Sequence, residues 1–188
     1  MKLKNFLLLV LLAALWGPSF LFIKVAVAEI PPLTLVLGRV GIAAVLLTVF
    51  LLAQGKSLPR SRTVWRHLAV MGLVHNTIPF VLFGWGEQYI DSALASILNG
   101  TTPLFTIILA HYFVADDRLT PTKLVGAVIG FAGLILLIVP SFSDGVQVTT
   151  LGLLAIALAS LMYGVAIVYS RNHLRGLPPL VAPAGQMI

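Results

Sequence analysis

The chain has no cysteine, so it holds no disulfide framework, no thiolate metal site and no cysteine nucleophile. Charge is scarce too: charged residues make up 10% of its 188 positions, against about 25% in a soluble domain. No Asp or Glu falls in the middle of an apolar run, so no carboxylate proton relay is visible. His75 is the one mid-run side chain of a type that titrates near neutrality. There is no phosphate-cradling glycine loop, which excludes ATP-driven transport by this chain, and no His-Glu-x-x-His for an intramembrane zinc protease. Gly17-Pro18-Ser19 lacks the second glycine of a nucleophile elbow. Neither an enzyme, a metal nor a cofactor is expected.

What the chain does have is apolar length. Mean hydropathy is +1.04 and 59% of residues are hydrophobic, with recurrent runs able to cross about 30 Å of hydrocarbon. The runs predict helices at 5–28, 33–53, 66–89, 92–114, 122–139 and 150–170, with a seventh beginning near 178. Continuous runs do not alternate as membrane strands must, which excludes a barrel. The expected fold is all-α, a polytopic transmembrane helix bundle whose first partner is the lipid bilayer. Lys2, Lys4 and the leucines after them imitate a secretory signal, but the apolar run is too long and Lys24 interrupts the approach to Ala26-Val27-Ala28, so the first helix is expected to be retained.

The net charge of +6 reports orientation rather than nucleic-acid binding. Ten of the twelve basic residues lie before helix 1 or in alternate connections: Lys2, Lys4, Lys56, Arg60, Arg62, Arg66, Arg118, Lys123, Arg171 and Arg175. The opposite connections, around Glu29, Asp91 and Asp144, carry none. The positive-inside rule makes the basic side, and with it the N-terminus, cytoplasmic. A dual-topology homodimer is disfavoured for the same reason.

Residues 11–38 return at 158–185. Trp16-Gly17 matches Tyr163-Gly164, Lys24 matches Arg171, Ile30-Pro31-Pro32-Leu33 matches Leu177-Pro178-Pro179-Leu180, and Gly38 matches Gly185, all 147 positions apart. Helix 1 and helix 6 enter from opposite sides, so the repeats are inverted, as in many secondary transporters. The expected divisions are a five-helix repeat at 1–140, an inter-repeat hinge loop at 141–149, and the start of a second inverted repeat at 150–188. A matching second repeat would extend to about residue 290. The 188-residue chain is therefore expected to be a truncated form that transports weakly or not at all alone, with a missing second half or another copy of itself as partner.

Polar residues cluster at the middle of four helices. Helix 1 has Trp16, Gly17, Pro18 and Ser19; helix 3 has His75, Asn76, Thr77 and Pro79. Helix 4 has Asn99 to Pro103, including Thr102, and helix 6 has Ser160, Tyr163 and Gly164. The helix-breaking Pro18, Pro79 and Pro103 each free a backbone carbonyl, tolerated in hydrocarbon only against protein or a wet cavity. Four helices weakened at one depth suggest a midplane binding site; helix packing glued by Ser, Thr and Asn is the plainer alternative. Lys24 and Arg39 stand apart from the other cations, and either could draw in a carboxylate-bearing solute. Arg39 could instead snorkel or pair with Glu87, whose own position suits an interfacial residue. Gly126, Gly130 and Gly133 of helix 5 suggest close helix packing.

These residues resemble the opening of the EamA-type family of the drug/metabolite transporter superfamily. The similarity rests on Trp16 to Phe20, Lys24, Ile30 to Leu33, Arg39, Tyr89, Ala93 to Leu98, Pro103 to Thr106 and Asp117 to Thr120, where Asp117 replaces the usual Glu. The resemblance implies ten helices in two inverted repeats. It also implies alternating-access export or exchange of small-molecule substrates (amino acids, metabolites or drugs) across the bacterial inner membrane. Trp16, Ser19, Lys24, Arg39, His75, Asn76, Asn99, Thr102 and Tyr163 are the candidate substrate-binding residues.

Overall fold

A computed structural model of the protein describes residues 3–139 and 149–188. The hinge expected at 141–149 lies outside the described residues except for Thr149. Within them the chain is all-α: α1 (Leu3–Trp16), α2 (Pro18–Val27), α3 (Pro32–Ala53), α4 (Arg62–Met71), α5 (Ile78–Gly86), α6 (Ser92–Asn99), α7 (Thr102–Phe113), α8 (Pro121–Ile138), α9 (Thr150–His173) and α10 (Val181–Gly185). In chain order α3, α8 and α9 take the second, fifth and sixth places, while α1 and α2 stack into the first span, α4 and α5 into the third, and α6 and α7 into the fourth. With α3 and α9 they make five segments long and apolar enough to cross a membrane. The apolar helix α8, 18 residues and so about 27 Å long, falls just short of hydrocarbon thickness.

Local chemistry sets the ends. Pro32 and Pro121 open α3 and α8, where a missing N–H costs nothing. The hydroxyls of Thr120 and Thr149 cap α8 and α9 by accepting from Lys123 N at 3.4 Å and Gly152 N at 3.1 Å. Gly55 and Gly176, at φ +68° and +88°, turn the chain after α3 and α9 through a conformation that side chains resist. The seventh helix starts at Val181, just past the expected position, behind Leu180 in the left-handed region.

Packing centres on α9. Its faces carry Ala155, Ile156, Ala159, Tyr163, Ala166 and Val168 into the interior against α5, α6 and α7. Glycines permit the approach: a Cβ on Gly152 would lie 2.6 Å from Ile90 Cγ2, and one on Gly164 3.0 Å from Phe105 Cβ. The glycines of α8 behave otherwise. A Cβ on Gly126, Gly130 or Gly133 would meet nothing within 4 Å, so the packing expected of them is not found among the described residues. Helix α1 buries no side chain among the described residues: past Lys4 and Asn5 its apolar surface is left for lipid or for another protein surface.

Contacts along α9 fix the two ends of the bundle. Its start lies by the α5–α6 turn, where Thr149 Oγ1 donates to Tyr89 O at 3.5 Å. Its end lies by α7, where Asn172 Nδ2 donates to Phe113 O at 2.8 Å, and by α4, where His67 Nδ1 meets Tyr169 OH at 2.7 Å. The basic connections thus gather at one end, as the charge pattern predicts.

Candidate functional site

Three of the four expected interruptions are present, each with its own repair. Between α1 and α2, Gly17 keeps helical angles and donates to Ala13 O at 2.9 Å, so Pro18 loosens the first span without severing it. In the third span, Gly72–Thr77 forms a π-helical turn closed by Ile78 N donating to Leu73 O. Pro79 follows directly; its ring and missing N–H disturb the turn before it, and one widened turn absorbs that, as π-bulges do. Thr77 Oγ1 donates to the Gly72 carbonyl at 3.0 Å. In the fourth span, Gly100 and Thr101 separate α6 from α7. Thr101 Oγ1 donates to Leu98 O at 2.7 Å, and Thr102 Oγ1 to the Asn99 side chain at 3.2 Å. The sixth span corrects the expectation: α9 runs unbroken from Thr150 to His173. Ser160 satisfies itself on Ile156 O at 3.0 Å, and Tyr163 and Gly164 serve packing without weakening the helix.

The interruptions converge. Trp16, Ser19, Arg39, Asn99 and Tyr163 line one narrow seam together with Phe20, Phe80 and Phe83. The seam encloses about 10 Å³, hardly room for one water. Trp16, Asn99 and Tyr163 also border an adjoining cavity of about 360 Å³, completed by His75, Gly100, Thr102, Pro103 and Ile167. Seven of the nine candidate residues therefore share two touching spaces. The seam lies where the first, second, third, fourth and sixth spans meet, and the larger cavity borders the first, third, fourth and sixth.

The wall between them is aromatic, and this the sequence did not announce. Tyr163, buried on α9, stacks on Phe83 with ring centroids 5.9 Å apart, and meets the edges of His75 at 5.4 Å and Phe80 at 6.5 Å. Phe20 closes the cluster against Phe83 at 5.4 Å. The Arg39 guanidinium stands 4.3 Å over the Phe80 ring, a cation–π contact, so Arg39 neither pairs with Glu87 nor points away from the site. Among apolar neighbours Phe80 and Phe83 read as generic membrane residues. Their three-residue spacing on one helix face, opposite Tyr163, was the only available signal.

Two candidates lie elsewhere. Asn76 is buried, and its amide Nδ2 donates to Gln186 O at 3.2 Å, tying the π-helical turn to the residue after α10. Lys24 Nζ donates to the carbonyls of Glu87 at 2.5 Å and Ile90 at 2.9 Å. It caps the end of α5, where helix carbonyls lack partners, and lines neither space described above. Arg171, the residue the expected repeat aligns with Lys24, acts at the opposite end of the bundle, where it and Lys123 both bind the Asp117 carboxylate. These hydrogen bonds hold Asp117 below its ordinary range.

A model of the EamA-like transporter family matches residues 3–139. The chain belongs to that family. It is 29% identical over 157 residues to an uncharacterized transporter, YoaV, of Bacillus subtilis, a match covering 84% of this chain and 53% of the relative. It is 31% identical over 144 residues to an uncharacterized transporter of Archaeoglobus fulgidus, covering 75% of this chain and 50% of the relative. Over 124 residues it is 32% identical to the uncharacterized inner membrane transporter YedA of Escherichia coli, covering 65% and 40%. The chain thus spans about half the length of the curated relatives it matches. No solved structure matches it. This EamA-like chain is a multi-pass membrane protein.

Proposed function

We propose that this EamA-like chain supplies one side of the substrate site of a secondary transporter. It moves small metabolites, amino acids or drugs by alternating access, outward or in exchange, with its N-terminus in the cytoplasm of a bacterial cell. The observation that carries the reading is the meeting of Trp16, Ser19, Arg39, Asn99 and Tyr163 beside the breaks in the first and fourth spans, against Phe80 and Phe83 just past the break in the third. Interrupted helices expose polar backbone, which hydrocarbon tolerates only around a cavity or packed protein. An aromatic wall with one guanidinium, one amide and a few hydroxyls supplies the mixture typical of small-molecule pockets.

The test is ligand binding to the purified 188-residue chain in nanodiscs, read by tryptophan fluorescence. The probes are free amino acids, added one at a time, and the cationic drug surrogate tetraphenylphosphonium. At least one probe is expected to shift the emission of the wild type, to leave Trp16→Phe unchanged, and to bind Asn99→Ala at least tenfold more weakly. A response identical in wild type and Trp16→Phe overturns the site.

A second reading rests on the chain's spanning about half of its relatives: a non-transporting fragment or assembly subunit that works with a separate second half. Counterflow of the responding probe in proteoliposomes separates the two. Flux carried by this chain alone and abolished by Arg39→Ala supports a self-sufficient transporter. Binding without flux supports the subunit.

A further inference from the structure

Glu87 follows directly after α5, and its side chain is 0% exposed. Sequence position suits an interfacial acid; the fold encloses it instead. Both carboxylate oxygens are buried and have no hydrogen-bond partner among the described residues. Its surroundings along the chain are apolar and buried: Phe83 one turn earlier, Ile90 and Leu94 beyond the turn, and Gly86 close against Gly152 of α9. A carboxylate ionised without partner or water is among the costliest groups an interior can hold, whereas the protonated acid is far cheaper.

The charge nearest it is already engaged. Lys24 approaches from α2, and its field reaches Glu87, but its ammonium donates to the backbone carbonyls of Glu87 and Ile90. The other elements around Glu87 add little charge. Asp91 stands half-buried at the start of α6. From α9 the residues against Gly86 are Gly152, Ala155 and Ile156, none of them titratable. Lys24 thus holds the backbone of Glu87 while its charge bears on the carboxyl.

The pair also sits one turn from the candidate site on both of its helices. Phe20 and Lys24 are four apart on α2, Phe83 and Glu87 four apart along the third span, and the two phenylalanines touch across the seam. Residues four apart share a helix face. Any change in how Lys24 and Glu87 engage therefore acts on the α2–α5 wall of the aromatic seam.

We infer that Glu87 is a proton-binding site, with Lys24 as its switching partner. In one state the carboxyl carries a proton taken from water, and Lys24 caps α5. In the other, the O–H bond breaks, the proton returns to water, and Lys24, still an ammonium, leaves the carbonyls to pair with the carboxylate. This deepens the transporter reading and rests on it: the proton becomes the coupling ion, and its exchange moves the wall that closes over substrate.

Infrared spectroscopy of the 188-residue chain in liposomes tests the site without ligand or transport. At neutral pH the wild type is expected to show the C=O stretch of a protonated carboxylic acid, vanishing at alkaline pH. Glu87→Gln is expected to lack that band. Glu87→Asp is expected to shift its frequency, which keeps the assignment testable if Glu87→Gln does not fold. Lys24→Met removes the cation favouring the carboxylate, so the band is expected to survive to higher pH. A neutral-pH wild type without the band, or a band unchanged in Glu87→Gln and Glu87→Asp, overturns the inference. A probe response through Trp16 in a chain lacking the band overturns the proton site and leaves the transporter reading standing. The band in a chain blind to every probe overturns the transporter reading and supports the proton site.

Discussion

Replacing one glycine of α9 and one of α8 by alanine should move stability in opposite directions. A Cβ on Gly164 would sit 3.0 Å from Phe105 Cβ, 3.2 Å from Thr106 N and 3.3 Å from Phe105 C, well inside the 3.5–4.0 Å or so of optimal carbon contact. None of those atoms is the end of a flexible side chain, so α7 and α9 must separate. Overpacking of this kind costs about 1–3 kcal/mol. The gain from replacing Gly within a helix is about 0.8–1 kcal/mol, which leaves a net loss of roughly 1 kcal/mol. On α8, a Cβ at Gly130 meets nothing within 4 Å among the described residues, so Gly130→Ala keeps the full helix gain of about 0.8–1 kcal/mol. At roughly 2–4 °C per kcal/mol for a chain of this size, the two variants should unfold about 4–8 °C apart, either side of wild type. Thermal unfolding in detergent, followed by circular dichroism, reads the difference. The reasoning is refuted if Gly164→Ala is no less stable than wild type. It fails equally if Gly130→Ala is as damaging, because that would mean the α8 glycine face is packed.

Three further outcomes follow from named contacts. Asp117 titrates below its ordinary value of 3.8 because Lys123 and Arg171 hydrogen-bond its carboxylate. That stabilisation is fully present above the ordinary value and is lost as pH falls through the depressed one. Acid unfolding curves should therefore show a step in the wild type that Asp117→Asn lacks, and coincident curves would dismiss the triad. Thr149→Ala removes the cap on Gly152 N and should cost about 1 kcal/mol, seen as a lower midpoint in thermal unfolding; an unchanged midpoint counts against the cap. Asn76→Ala breaks the 3.2 Å bond to Gln186 O, worth about 0.5–1.5 kcal/mol, and should speed amide hydrogen exchange in residues 181–188. Unaltered exchange there would show that α10 is held by Val181 and Ala184 alone.

Much of the architecture was legible because hydrocarbon imposes simple rules on sequence. A span must be long, apolar and helical to satisfy its backbone. Spans therefore came out within a few residues of those observed, and the chain's family emerged from ordered motifs. Pro18, Pro79 and Pro103 marked real interruptions because proline removes a specific backbone bond wherever it stands. The gathering of basic loops at one end was likewise readable, since alternate connections of a helical bundle must share a side.

The rest depended on which faces meet, and neither composition nor repeat spacing encodes that. Tyr163 and Gly164 repeat Trp16 and Gly17, yet α9 stays straight because it lacks the proline that follows Gly17. Gly126, Gly130 and Gly133 have the spacing of a packing face, but no described helix lies against them. Lys24 and Arg171, 147 positions apart, have different occupations, one on carbonyls and one on Asp117, because the elements docked beside each differ. Phe80 and Phe83 came to line the aromatic seam, and Glu87 to be buried, only when α2 and α9 packed against α5. Sequence by itself determined the helices, their breaks and their order, because those follow from local backbone chemistry and the membrane. Tertiary structure alone decided which polar groups were left inside and unpaired, because burial is a property of neighbours brought from far along the chain.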